Sequence, residues 1–275
     1  MKRVIGISLT LGLLLSCGKQ AYEIININGN RIDVLGHGGM GYNSSFPLNS
    51  FESIEMALQS GANGTEMDIQ LSKDSVLILY HDEFLDSRTS GTGRIIELNW
   101  QELSSVLYNT SAFDSYKLIR LEDVLDILEP NKNYSLTLDC KTFPGISNSI
   151  NSYLKTYARS IKNLFNEYNL WDKVIIEASS IQLIEELKQI DSSIRILYYP
   201  ENFEIGYQVA TDLNLFGITI SMHKINKKQI EDAHSGGLFV ALWQVRTSKN
   251  NREAIKMNPD MIQSDKLKHL IRELE

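Results

Sequence analysis

The sequence predicts a single (β/α)8 TIM barrel, an α/β fold in which eight strand-helix units close on themselves. Two observations carry this expectation. About 245 residues after the N-terminal segment divide into eight such units, the length this barrel takes. The polar, chemistry-bearing side chains also fall on the strands toward their C-terminal ends, where barrels of this class keep their sites. An open doubly wound sheet is the main competitor. No Gly-x-Gly-x-x-Gly follows the first strand to support its dinucleotide-binding form.

The chain has 275 residues, 43% hydrophobic and 22% charged, with five prolines and no low-complexity run. That suffices for one large core and leaves no obvious linker. Lys2-Arg3 makes a basic start, and Val4 to Leu15 is an apolar run too short to span a bilayer as a mature helix. It ends Leu14-Leu15-Ser16-Cys17. A small residue before a cysteine, after such a run, resembles the lipobox of bacterial lipoproteins. The resemblance implies that residues 1–16 are a signal peptide and that Cys17 is acylated. It places the protein in the bacterial cell envelope, periplasmic or at the cell surface, held to the membrane by lipid. Residues 17–30 then read as a polar tether, and residues 31–275 as one domain. With Cys17 lipidated, Cys140 is the remaining thiol and no internal disulfide is possible. Removing Lys2 and Arg3 takes the formal net charge from −7 to −9. So acidic a protein is a poor partner for nucleic acid and is not held on anionic lipid by a basic surface.

Arg31 to Gly36 reads as the first strand, ending at His37 and the Gly38-Gly39-Met40-Gly41 loop. Leu48 to Ser60 has helical spacing at Phe51, Ile54 and Leu58. Thr65 to Leu71 is the second strand. On it Glu66 and Asp68 share one face, while Met67, Ile69 and Leu71 share the apolar other. A turn at Lys73-Asp74 folds the chain back as a β-hairpin extension of this strand. Opposed residues then sum to about 147, which brings His81 beside Glu66. Residues 83–118 form an insertion above the barrel, with a short helix near Trp100 to Leu107. Arg120 to Leu128 is a helix. Tyr134 to Lys141 is the third strand, with Thr137, Asp139 and Lys141 on one face. Strands at Val174–Ala178, Ile194–Tyr199, Phe216–Met222, Leu238–Val245 and Asp260–Ser264 complete the set. Helices are expected near 150–168, 181–190, 203–213, 226–235 and 250–257, with a last one from Lys266.

Two carboxylates and an imidazole in one small space suit a hard divalent cation and proton transfer. His37, Glu66, Asp68, Asp139, Lys141, Trp243 and Asp265 all fall on one rim. Trp243 serves equally well as a substrate wall or as core packing.

These residues also form an ordered set of motifs: His37-Gly38-Gly39, Asn49-Ser50, Glu66-Met67-Asp68, Ser72-Lys73-Asp74-Ser75, His81-Asp82, Asp139-Cys140-Lys141, the V-A-L-W-Q-V run at 240–245 and Ile262-Gln263-Ser264-Asp265. Over residues 32–270 the set resembles the glycerophosphodiester phosphodiesterases. The resemblance implies metal-dependent hydrolysis of small glycerophosphodiesters to glycerol phosphate and an alcohol. It implies that Glu66, Asp68 and Asp139 bind one divalent cation, Ca²⁺ or Mg²⁺. His37 and His81 would be the catalytic acid-base pair. Lys141 would contact phosphate and Asn49 would touch metal or phosphate, while Trp243 is the substrate-binding candidate from its place on the rim alone. It also implies an internal nucleophile, the substrate's glycerol hydroxyl, giving a cyclic phosphate that water opens. Three departures are visible: Gly38 stands where the family has arginine, Asp139 where it has glutamate, and Leu48 where an acidic residue is common. They leave two alternatives open. One is a non-catalytic ligand-binding lipoprotein on the same barrel. The other is a phosphodiesterase acting on phosphoinositide or lysophospholipid head groups, which an apolar pocket beside the metal would favour.

Overall fold

The computed structural model describes residues 21–110, 115–128, 132–145 and 149–275. Cys17 and residues 1–16, expected as lipidation site and signal peptide, lie outside the described residues. Eight parallel strands form the barrel: β1 (Asp33–Gly36), β2 (Gly64–Leu71), β4 (Ser135–Cys140), β5 (Val174–Ala178), β6 (Ile196–Tyr198), β7 (Gly217–Ser221), β8 (Phe239–Val245) and β9 (Met261–Ser264). Each pairs with the next, and β1 pairs with both β2 and β9, which closes the ring. The predicted (β/α)8 barrel is therefore the observed one. Its strands scarcely show two-sided alternation in burial, since helices cover the outside and side chains fill the inside.

The helices are α1 (Phe51–Gln59), α2 (Trp100–Leu103), α3 (Leu121–Leu125), α4 (Ile150–Tyr168), α5 (Ile181–Ile190), α6 (Phe203–Asp212), α7 (Lys227–Ser235), α8 (Ser248–Lys256) and α9 (Leu267–Leu274). Five of them start on a side-chain cap just beyond a loop: Ser50, Ser180, Asn202, Asn226 and Thr247 each accept a backbone N–H from the first turn. The first helix begins later than its apolar spacing suggests. Asn49 is left-handed (φ 63°), which a helix cannot contain, and Ser50 caps the turn that follows.

Two apolar layers hold the barrel. Outward side chains of the strands, such as Met67, Ile69, Leu138 and Ile176, pack under the helices. Inside, Leu35, Ile175, Leu197, Phe239, Ala241 and Met261 fill the lower half. The described residues of 83–118 form the expected insertion, whose Leu85, Ile95, Leu103 and Tyr108 share a core with Ile78 and Tyr80 of the hairpin. Its helix α2 stops at Leu103, where Ser104 caps it.

The hairpin differs from expectation by one residue. Strand β3 (Leu77–Leu79) pairs Ile69 with Leu79, Gln70 with Ile78 and Leu71 with Leu77. The loop holds three residues, Lys73 to Ser75, with Ser75 left-handed (φ 68°), rather than the two-residue turn expected. Ser72 on one side and Val76 on the other close it. The register therefore sets Tyr80 opposite Asp68, with the Tyr80 N–H donating to the Asp68 carbonyl at 3.0 Å. His81 reaches the site because the ladder ends there. Gln70 Nε2 donates to the carbonyls of Tyr80 and Asp82, both at 2.8 Å, and fixes this exit.

At the opposite face of the barrel, residues 21–30 lie along the body. Tyr22 Oη donates to Glu273 Oε2 at 2.8 Å, and Asn26 Nδ2 donates to the Pro259 carbonyl at 2.8 Å. The Asn28 N–H donates to Asp260 Oδ1 at 3.1 Å. Among the described residues, no helix is long and apolar enough to cross a membrane.

Candidate active site

The C-terminal ends of the strands open on a cavity of about 190 Å³ lined by His37, Glu66, Asp68, His81, Asp139, Lys141 and Trp243. Seven of the residues singled out from the sequence therefore meet in one place. Parallel pairing explains the acids: Asp68 lies beside Asp139, and Asp139 beside Glu177, so one layer of inward side chains carries all three.

Glu66, Asp68 and Asp139 each present an oxygen, all within 4.8 Å of one another, and all three side chains are buried. Burial pushes Glu66 well up from the ordinary carboxylate value, and the neighbouring Asp68 charge adds to it. Asp139 is likewise raised, chiefly by burial. Asp68 goes the other way. Burial alone would raise it, but Lys141, His81 and the Asn49 amide together hold it below its usual range. Lys141 Nζ bridges Asp68 Oδ1 at 2.9 Å and Asp139 Oδ2 at 2.6 Å. Burial opposes its charge, yet the two carboxylates keep it firmly protonated.

Asn49 does not line this cavity. It is buried, and its amide is committed to Asp68: Nδ2 donates to Oδ2 at 2.7 Å, and Oδ1 accepts the Asp68 N–H at 3.0 Å. Its left-handed backbone lets both ends of the amide meet one residue. Asn49 thus orients one of the three acids from behind the cavity wall.

Each histidine is held by a carboxylate. His37 Nδ1 lies 2.7 Å from Asp265 Oδ1, and its Nε2 lies 4.0 Å from Glu66 Oε2. Burial disfavours the charged ring, but the Asp265 hydrogen bond and the Glu66 and Asp265 charges outweigh it, lifting His37 to about 9. His81 Nδ1 lies 2.7 Å from Asp82 Oδ1, and Asp82 Oδ2 accepts from Arg88 Nε at 2.6 Å. In both cases Nε2 is the nitrogen left for the cavity.

Gly38 is left-handed (φ 53°), and its N–H donates to Glu66 Oε2 at 2.8 Å. A Cβ there would meet Leu48 Cβ at 2.9 Å, so the packing of Leu48 and the lack of a side chain at 38 go together.

Three residues of the cavity wall, Tyr42, Glu177 and Arg246, were not singled out from the sequence, and Gln263 entered only within the Ile262–Asp265 motif. Glu177 could have been found, since it ends an apolar strand level with Asp139. Burial, helped by the Asp139 charge, pushes it up to about 8, and Gln263 Nε2 donates to it. Trp243 faces the cavity half-buried, edge-on to Tyr199 with ring centroids 5.0 Å apart.

A second cavity of about 310 Å³, walled by Phe46, Tyr80, Tyr108 and Arg88, adjoins the first and shares Tyr42 and His81 with it.

The family model described as glycerophosphoryl diester phosphodiesterase family matches residues 40–269. The chain belongs to that family. Its members are phosphoric diester hydrolases, and this chain is a glycerophosphodiester phosphodiesterase-like member. A glycerophosphodiester phosphodiesterase from Caldanaerobacter subterraneus is 23% identical over 238 residues, covering 84% of this chain and 93% of the relative. A putative glycerophosphodiester phosphodiesterase of Bacillus subtilis is 22% identical, covering 80% of this chain and 89% of its own. Among solved structures, a putative member from Silicibacter pomeroyi superposes with a TM-score of 0.78 at 17% identity, over 88% of this chain and 92% of that one. A phosphodiesterase from Oleispira antarctica, solved with the product sn-glycerol-3-phosphate, gives 0.77 at 17% identity, over 88% and 96%. Such low identities mark this chain as a divergent member whose fold is nonetheless the family's.

Proposed function

We propose that this protein hydrolyses glycerophosphodiesters to glycerol phosphate and an alcohol, with one divalent cation, Ca²⁺ or Mg²⁺, and with His37 and His81 as the acid-base pair. One observation carries the reading: three buried carboxylates and two carboxylate-held imidazoles line a single cavity at the barrel mouth. The donors are all oxygen, which suits a hard cation. Burial raises Glu66 and Asp139 in the crowded trio, and a cation there would relieve that crowding. Glu66, Asp68 and Asp139 would hold it, and when bound it supplies positive charge against the phosphorane-like transition state. The binding of glycerol phosphate by the Oleispira relative supports the same substrate class.

The chain's own groups do the rest. With Nδ1 tied to Asp265 or Asp82, each ring turns Nε2 inward. One Nε2 takes the proton of the attacking hydroxyl, and the other gives a proton to the leaving oxygen. Asn49 and the Gly38 N–H fix Asp68 and Glu66, so neither acid must reorganise during the reaction. Lys141 stands beside two of the acids and would meet a non-bridging phosphate oxygen. Lipid anchoring through Cys17 in the cell envelope is part of the proposal and rests on the N-terminal sequence alone.

The test is release of glycerol phosphate from glycerophosphocholine and glycerophosphoethanolamine by the full chain in detergent, with Ca²⁺, with Mg²⁺ and with EDTA. Release that EDTA abolishes is the expected result. No release with either metal from a folded sample would overturn the hydrolase reading in favour of a ligand-binding protein. A second reading, cleavage at phosphoinositide or lysophospholipid head groups, is favoured by the aromatic-walled cavity beside His81. Faster turnover of a lysophospholipid than of glycerophosphoethanolamine would select it.

A further inference from the structure

We propose that Arg246 is a substrate-binding residue that grips the phosphate of the diester from the mouth of the barrel. This rests on the hydrolase reading above and extends it to a residue outside the family's motif set. The need follows from charge. The cavity is lined by Glu66, Asp68, Asp139 and Glu177, and its buried lysine is already paired with two of them. An anionic phosphodiester entering beside Lys141 and the divalent cation gains from a further cation at the mouth, outside the Glu66, Asp68 and Asp139 cluster. Position 38 cannot supply one, because it is a glycine packed against Leu48.

Arg246 is brought to the mouth by a defect in the sheet. Along β8, Ala241 faces the barrel interior, and Val240 and Leu242 face the helices. Strict alternation would turn Val245 inward and Arg246 outward. Instead the pairing with β9 shifts between Leu242 and Val245, and Gln244 sits left-handed (φ 59°). This bulge returns Val245 to the outer apolar layer and aims Arg246 at the cavity. There Arg246 Nε forms an ion pair with Asp265 Oδ2 across 3.8 Å, longer than a hydrogen bond, and the guanidinium lies 6.0 Å from the Tyr42 ring centroid. Its side chain is 57% exposed. A planar guanidinium free at its outer edge is the shape that meets two phosphate oxygens at once. Arg88, on the other cavity, is not equivalent: its Nε is closed on Asp82 at 2.6 Å.

The competing role for Arg246 is to steady Asp265, and through it His37. Two measurements separate the roles. Binding of sn-glycerol 3-phosphate in the presence of Ca²⁺ is followed by calorimetry. Hydrolysis of glycerophosphoethanolamine is followed across pH. Arg246→Met is expected to weaken product binding and raise KM by at least about tenfold, the worth of a hydrogen bond to a charged group. The thermal midpoint and the pH profile of kcat should hold, and Arg246→Lys should recover part of the affinity. Unchanged product affinity with a lower kcat and a displaced pH profile would overturn the proposal in favour of the steadying role. Wild-type protein that binds glycerol phosphate but releases none would overturn the hydrolase reading and leave the Arg246 comparison intact. Wild-type protein that does neither would overturn both.

Discussion

Replacing Asp265 by asparagine keeps the size of the side chain and removes its charge. The carboxylate is fully buried and sits 2.7 Å from His37 Nδ1. It is a principal reason the ring is lifted from 6.5 to about 9 against its own burial. That gap corresponds to about 3 kcal/mol of preference for the charged ring in the folded protein. The ring binds its proton more tightly folded than unfolded. The preference therefore stabilises the fold in full below pH 6.5 and is lost as pH rises through about 9. In Asp265→Asn the amide oxygen can still accept from Nδ1–H, but without charge. NMR titration of the His37 ring, with divalent cations removed, should show its proton affinity falling by at least about tenfold in that variant. Urea midpoints of wild type should drop between pH 6.5 and 9, and those of the variant should drop less. A His37 midpoint that stays near 9 in the variant would refute the assignment of Asp265 as the group holding the charge.

Asp139→Asn removes one anionic donor, so Ca²⁺ should stabilise the variant less than wild type. At 100-fold excess over Kd a bound cation is worth about 2.7 kcal/mol, and thermal midpoints with and without Ca²⁺ read the loss. Gly38→Ala forces a Cβ against Leu48 at 2.9 Å in a left-handed backbone. It should destabilise by about 1–3 kcal/mol in urea unfolding, and Leu48→Ala in the same chain should recover part of that. Asn49→Ala leaves both the Asp68 N–H and Oδ2 without their partner. A loss of about 2 kcal/mol or more is expected, with Ca²⁺ affinity weakened as well; unaltered affinity would show that Asp68 needs no help to hold its position.

Much of this site is readable in the chain because strand geometry is periodic. Glu66-Met67-Asp68 separates two acids from an apolar contact whatever the neighbours do, and the structure keeps that division. The hairpin was legible as a hairpin, but its register turned on whether Ser75 belongs to the loop, a matter of one left-handed residue. Trp243 and Arg246 differ in the same way. Alternation from Ala241 places the tryptophan, whereas the arginine depends on a bulge that leaves no apolar signature. Tyr42 depends on the Gly38–Gly41 loop, whose path is set by three left-handed glycines rather than by any pattern of hydrophobicity.

The stitching of residues 22–28 to Pro259, Asp260 and Glu273 fixes more than a loose end. It fastens residues 22–28 to the face where the strands begin, and the cavity opens at the face where they end. The segment and the cavity mouth therefore lie at opposite ends of the barrel.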